Sequence, residues 1–206
     1  MKRQIPIVLA LLLGFALPMM AQNNKVEARI QLARDQYAKG LANIASVKQY
    51  MEEGVPNVNY LSVVRHQNWA GSGQCADKMD FYYEEVYEPD DEYQETPIAY
   101  RPVMIRRNNE MYEGGPALLE EYVFDDEGRP LFWFTSYFDW SIGHGGSRVE
   151  LRQYYDEKGE VIRTICKTTD ESGETKVCGK ENFEDNLNRA IDDFNRFKSV
   201  FDAIYN

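Results

Sequence analysis

Between residues 59 and 178 the chain breaks into short runs rich in Val, Ile, Tyr, Phe and Trp: 59–67, 80–87, 99–107, 118–124, 131–140, 149–155, 161–168 and 175–178. Gly, Pro, Asp and Asn clusters separate them. Aromatic and β-branched side chains suit a pleated, half-buried surface, and the separating residues favour turns. This train of strands constrains the fold more than any other feature, and it predicts an antiparallel meander. Two turns are specified closely. Tyr122–Leu131 and Tyr154–Val161 each run aromatic strand, Asp, two polar residues, Gly, strand. A type I turn followed by a left-handed Gly has this pattern. It sets Asp125 opposite Arg129 and Asp156 opposite Glu160. The pair does not extend into a long-period repeat, because the same aromatics do not recur a third time.

Helical patterns flank the strands. Val26, Ile30, Ala33, Tyr37, Leu41, Ile44, Val47 and Met51 recur every three or four residues, with Glu27, Arg34, Asp35 and Lys39 largely outside the stripe. That spacing marks one face of a helix. Gly40 inside it costs up to about 1 kcal/mol relative to Ala, or marks a close approach. Gly54 and Pro56 end the run. At the other end Phe183, Leu187, Ala190, Ile191, Phe194, Phe197, Phe201 and Ile204 form a second stripe, with Asn182 and Asp185 in a capping arrangement and Asp193 on the polar side. Stripes this apolar need a sheet or another helix to cover them. The fold class expected is α+β: an antiparallel β-meander with the N-terminal and C-terminal amphipathic helices packed on one face.

The first residues read differently. Lys2 and Arg3 precede an apolar run from Ile5 to Leu17, and small residues follow at Ala21. This is the pattern of a secretory signal peptide cleaved after Ala21, leaving residues 22–206 as a single domain. The run is too short, and too interrupted by Pro6, for a membrane span of roughly 20 residues. No further long apolar run follows, so no transmembrane segment is expected after cleavage. The protein is expected to be periplasmic or extracellular. Its formal net charge is −11, and removal of the signal makes it more acidic. Such a charge argues against nucleic acid as a partner. At 13% aromatic, with 14 tyrosines, the chain is not disordered.

Export makes a disulfide plausible for the cysteines at 75, 166 and 178. If Glu171, Ser172 and Gly173 form a turn, Asp170 faces Glu174 and Cys166 faces Cys178. The β-carbons of directly opposite residues come close enough for a bridge if the pair is of the non-hydrogen-bonded kind. Cys75, in the glycine-rich stretch 71–75, is then a spare thiol.

Three segments carry a resemblance: the helix run 28–37 (ARIQLARDQY), the strand and loop at 59–64 and 68–73 (NYLSVV and NWAGSG), and the hairpin 122–134. They resemble a group of small secreted proteins of Gram-negative bacteria whose function is unknown. The resemblance spans most of the chain after the signal. It implies export and an α+β fold, and it brings no catalytic residue with it.

Chemistry-bearing motifs are sparse. Gly143-His144-Gly145-Gly146 is similar to an oxyanion loop, but the nucleophile elbow that gives such a loop meaning is missing. His66 and His144 are the only histidines. Ser141 or Ser147 with His144 is the one compact nucleophile–base option, and it lacks a buried orienting carboxylate. No ligand spacing supports zinc, and Asp125-Asp126-Glu127-Gly128 lacks the alternation of a calcium loop. No metal or cofactor is expected. The aromatic strand 131–140 is more informative. Phe132, Phe134, Phe138 and Trp140 share one face, assigned to the core. Trp133 and Tyr137 point the other way, beside Glu121 and Thr135, where exposed rings could stack on a ligand. The reading is a secreted or periplasmic non-enzymatic binding protein for an unknown extracellular ligand or protein. Its ligand-binding candidates are Trp133, Tyr137, Trp140 and His144. The alternative is a hydrolase of an extracellular substrate built on His144 and a nearby acid.

Overall fold

A computed structural model describes residues 5–56, 58–69, 73–88, 96–111, 118–143 and 145–205. Most of the acidic segment 88–95, the start of the glycine-rich stretch before Cys75, and His144 lie outside the described residues. A helix α1 (Ile5–Glu53) leads into strands β1 (Tyr60–Trp69), β2 (Gly73–Val86), β3 (Ala99–Met111), β4 (Leu118–Phe124), β5 (Pro130–Asp139), β6 (Ser147–Tyr155), β7 (Val161–Asp170) and β8 (Thr175–Val177). A 3-10 turn (Lys180–Phe183) and helix α2 (Glu184–Tyr205) follow. The strands form one sheet in sequence order, β1 to β8, each antiparallel to the next. Apart from the twelve residues between β2 and β3, the connections are too short to reach back for a parallel pairing, which favours a meander.

Three hairpins use one turn. Asp125, Asp156 and Asp170 each pair through the backbone with the residue four further on, Arg129, Glu160 and Glu174. In each, Asp Oδ1 accepts the N–H groups of the second and fourth residues that follow. Gly128, Gly159 and Gly173 sit at φ of 72°, 80° and 84°, a region open to glycine without strain. The third turn places Cys166 and Cys178 together as a disulfide with Cα atoms 5.2 Å apart. Cys178 N–H also donates to Cys166 O at 3.2 Å, so the bridge spans a hydrogen-bonded position and not the non-hydrogen-bonded kind of pair expected. Cys75 is free and buried.

The helices differ from expectation in their placement. They do not share a face. α1 packs through Ile30 and Ala33 on Met104, Val123, Leu131, Phe132 and Tyr154. α2 packs through Leu187, Ala190, Phe194, Phe197 and Phe201 on Ile105, Tyr122, Phe124, Trp133 and Tyr155. Neighbouring residues on a strand point to opposite faces, so the sheet is the middle of three layers. The sequence carries the reason in doubled apolar pairs: Met104-Ile105, Tyr122-Val123, Phe132-Trp133 and Tyr154-Tyr155. Strands covered on both faces lose strict alternation. Gly40 marks a close approach, for a β-carbon there would lie 2.5 Å from Met104 Cε.

Two smaller expectations also change. The C-terminal helical run starts in the 3-10 turn behind Gly179, with no side-chain cap. Asp193 does not face solvent: it is 3% exposed, held between Arg189 Nε at 3.3 Å and Arg196 Nη2 at 2.7 Å.

Candidate functional site

α1 crosses only part of its face of the sheet. Arg29 pins one end. Its Nε donates to Tyr155 O at 3.0 Å and its Nη2 to Asp125 Oδ2 at 2.9 Å, with Pro130 O and Asp156 O also in reach of Nη2. One buried guanidinium thus ties the helix to the β4–β5 and β6–β7 turns. Further along, Lys39 Nζ bonds Glu84 Oε2 at 2.8 Å, and Arg101 bonds the same carboxylate. Between these clamps Tyr37 reaches down, and its hydroxyl donates to Glu121 Oε2 at 2.7 Å. Arg106 Nη2 lies 3.0 Å from the other oxygen of that buried carboxylate. Burial, and then the bond to Glu121, hold the Tyr37 phenol protonated well above its usual range.

Beside Tyr37 the helix leaves a groove. Ala33, Arg34, Tyr37, Phe132, Phe134, Arg152 and Tyr154 line a cavity of about 170 Å³. Its floor is a run of rings: Tyr37 stands edge-on to Phe132 at 5.4 Å, and Phe132 meets Tyr154 at 5.0 Å. Arg152 lies over the Phe134 ring with its guanidinium carbon 5.1 Å from the centroid, and its Nη2 bonds Glu150 Oε2 at 2.9 Å. Stacking and an ion pair both fix this guanidinium. Arg34 stands on the helix side, exposed, and its recorded hydrogen bond goes to the neutral Gln31 Oε1 at 3.5 Å.

A second cavity, about 320 Å³, opens where the end of α1 meets β1 and β2, lined by Lys39, Asn43, Val47, Tyr50, Asn59 and Glu84 among others. Its charges are already matched in the Lys39–Glu84–Arg101 set. On the α2 face the buried carboxylates are matched too. Asp77 takes Arg107 at 2.7 Å and Arg65 at 3.2 Å, while Glu120 takes Arg107 at 2.8 Å and Arg189 at 3.3 Å. Among the described residues, no cluster of His, Cys, Asp and Glu could hold a metal ion.

The residues chosen from sequence do not converge. Trp133 is fully buried under α2, against the expectation of an exposed ring. Tyr137 is half-buried on the same side, and its hydroxyl accepts from Asn186 Nδ2 of α2 at 3.0 Å. Glu121 is not their neighbour, since it faces α1. The cause is the second helix, which turns the supposed outer face of β5 into core. Trp140 lies past the end of β5, 69% exposed, against Phe138 at 4.5 Å, and is not core. His144 lies outside the described residues. Sequence reasoning missed the groove residues Tyr37 and Arg152. Tyr37 belongs to the apolar stripe of the N-terminal helix, and nothing in the sequence singles out Arg152; the signal available was the aromatic set Phe132, Phe134 and Tyr154 on one face.

Among helices of the described residues, none is long and apolar enough to cross a membrane. In comparisons with known proteins the chain matches no family model, no curated protein and no solved structure, so the reading of this groove rests on its own geometry.

Proposed function

We propose that the protein is an exported, non-enzymatic binding protein that takes its ligand in the groove between α1 and the sheet. One observation carries this reading: a ring-floored cavity beside a guanidinium held in place by both a ring and a carboxylate. Concave sites with apolar walls and a few fixed polar groups are the usual form of a small-ligand site. Arg152 is positioned before any ligand arrives, which lowers the ordering cost of binding. The basic start and apolar run at the N-terminus, together with the Cys166–Cys178 bridge, support export into an oxidising compartment.

A fragment screen by two-dimensional NMR tests the reading. Neutral, anionic and cationic aromatic fragments are added to labelled protein comprising residues 22–206. The expected hits shift resonances of Tyr37, Phe134 and Tyr154, compete with one another, and lose their effect in Phe134→Ala. A screen in which no fragment perturbs the groove, or in which all hits map elsewhere, overturns it.

A further inference from the structure

We infer that the groove beside α1 selects a small aromatic carboxylate, a planar ring carrying one anionic group. The inference rests on the binding reading above and adds the ligand's chemistry. Size comes first. The cavity measures about 170 Å³, and an apolar cavity of about 150 Å³ is enough to hold benzene. A single ring fits within it. The walls come second. Phe132, Phe134, Tyr37 and Tyr154 present ring faces and edges, which favour offset or edge-on contact with a planar aromatic body over an alkyl chain.

Charge decides the rest. Two guanidiniums, Arg34 and Arg152, line the cavity, and no carboxylate does. The nearby acids are engaged already: Glu150 with Arg152, and Glu121 with Tyr37 and Arg106. The whole chain carries −11, so this lining stands out against its own background. Arg152 spends one Nη2 on Glu150, and a guanidinium has five N–H donors in a fixed fork. Arg34, on the opposite lip, meets only the neutral Gln31 among the described residues. A carboxylate set between the two lips is met from both sides while its ring lies on the aromatic floor. A cation there gains nothing from the arginines and repels them.

Calorimetric titration with benzoate, benzyl alcohol and benzylamine tests the selection. Benzoate is expected to bind, with benzyl alcohol about 10-fold or more weaker, the margin of a charge-assisted hydrogen bond, and benzylamine weaker still. Arg152→Gln should bring benzoate down to the level of benzyl alcohol and leave benzyl alcohol unchanged. Arg152→Lys, which keeps the charge but not the fork, should recover part of the loss. Denaturant melts of both variants establish that each is folded at the temperature of titration. Equal binding of benzoate and benzyl alcohol in the groove overturns the carboxylate selection and leaves the binding reading standing. Tighter binding of benzylamine overturns the selection with its sign reversed. Failure of all three to bind, with no shift of groove resonances, overturns both.

Discussion

The two helices hold the two faces of one sheet by different physics. Under α2, rings meet rings. Phe194 stands edge-on to Tyr122, Phe124 and Tyr155 at 5.0, 5.2 and 5.5 Å, and Phe201 packs on Phe81 and Tyr83. Under α1, Ile30 and Ala33 touch the sheet, and the specific ties are point contacts to carboxylates: the ion pairs Arg29–Asp125 and Lys39–Glu84, and the hydrogen bond from Tyr37 to Glu121. These large rings interlock edge to face and leave little space between them, so the α2 face closes. Ionic clamps act at points and leave room between them. The groove lies in such a gap, on the face held by point contacts.

The comparison breaks if the two interfaces cost the same to damage. Phe194→Ala removes a fully buried ring from three partners and should cost about 3–5 kcal/mol. Phe132→Ala removes a ring of the same size from the α1 side, where the space left opens onto the groove and water can enter it. Its cost should be lower by at least about 1 kcal/mol. Urea melts of both variants decide. Equal losses would mean that the α1 face is as closed as its counterpart and that the groove is a packing defect.

Arg29→Met sharpens the comparison from the ionic side. Breaking a buried ion pair from one partner costs about 3–5 kcal/mol. Asp125 keeps the Arg129 side chain and two backbone N–H donors, so about 2–3 kcal/mol is expected here at pH 7. The pH dependence has a definite sign. Burial by itself would raise the Asp125 carboxyl, but the backbone and side chain of Arg129 and the guanidinium of Arg29 outweigh it and hold the carboxyl below its usual range. A carboxyl lowered on folding contributes stability that is present above its unfolded value, about 3.9, and is lost as pH falls through the folded value. The difference between parent and Arg29→Met should therefore be full at neutral pH and shrink below about pH 4. Melts at pH 7, 5 and 3 check it. A difference that grows in acid would mean that Asp125 is not the partner that matters.

Local rules made much of the fold readable. The strands from 99 onward, the three Asp-x-x-Gly turns and the Cys166–Cys178 bridge all follow from residues within a hairpin of one another. Only the second half of β2 is legible in the sequence, because Ala76-Asp77-Lys78 has little strand character and Asp77 is held by Arg65 and Arg107 from neighbouring strands. The face each helix chooses is a tertiary decision. Where both members of a pair such as Phe132-Trp133 are apolar, parity on a strand says which residues share a face but not which face is covered. The groove was illegible for the same reason. Tyr37 comes from the first helix and Arg152 from the sixth strand, and nothing in the sequence between them sets their separation.

The smallest effect expected is at the aromatic residue that sequence parity placed in the core. Trp140 lies just past the end of β5, 69% exposed, and among the described residues its ring partner is Phe138. Trp133, seven residues earlier and within β5, is fully buried against α2. Trp140→Ala should change stability by no more than about 0.5 kcal/mol, because it creates no cavity and strands no polar group. Trp133→Ala should cost about 3–5 kcal/mol. Fluorescence separates them independently of stability. Iodide quenches indoles that it can touch, so the quenchable part of the emission should fall in Trp140→Ala while the protected part remains. A Trp140→Ala loss above 1 kcal/mol would place this ring in a core, and β5 would then continue past Asp139 as a covered strand. With that, the α1 face would have no open flank at this edge, and the contrast between the two interfaces would narrow to the groove alone.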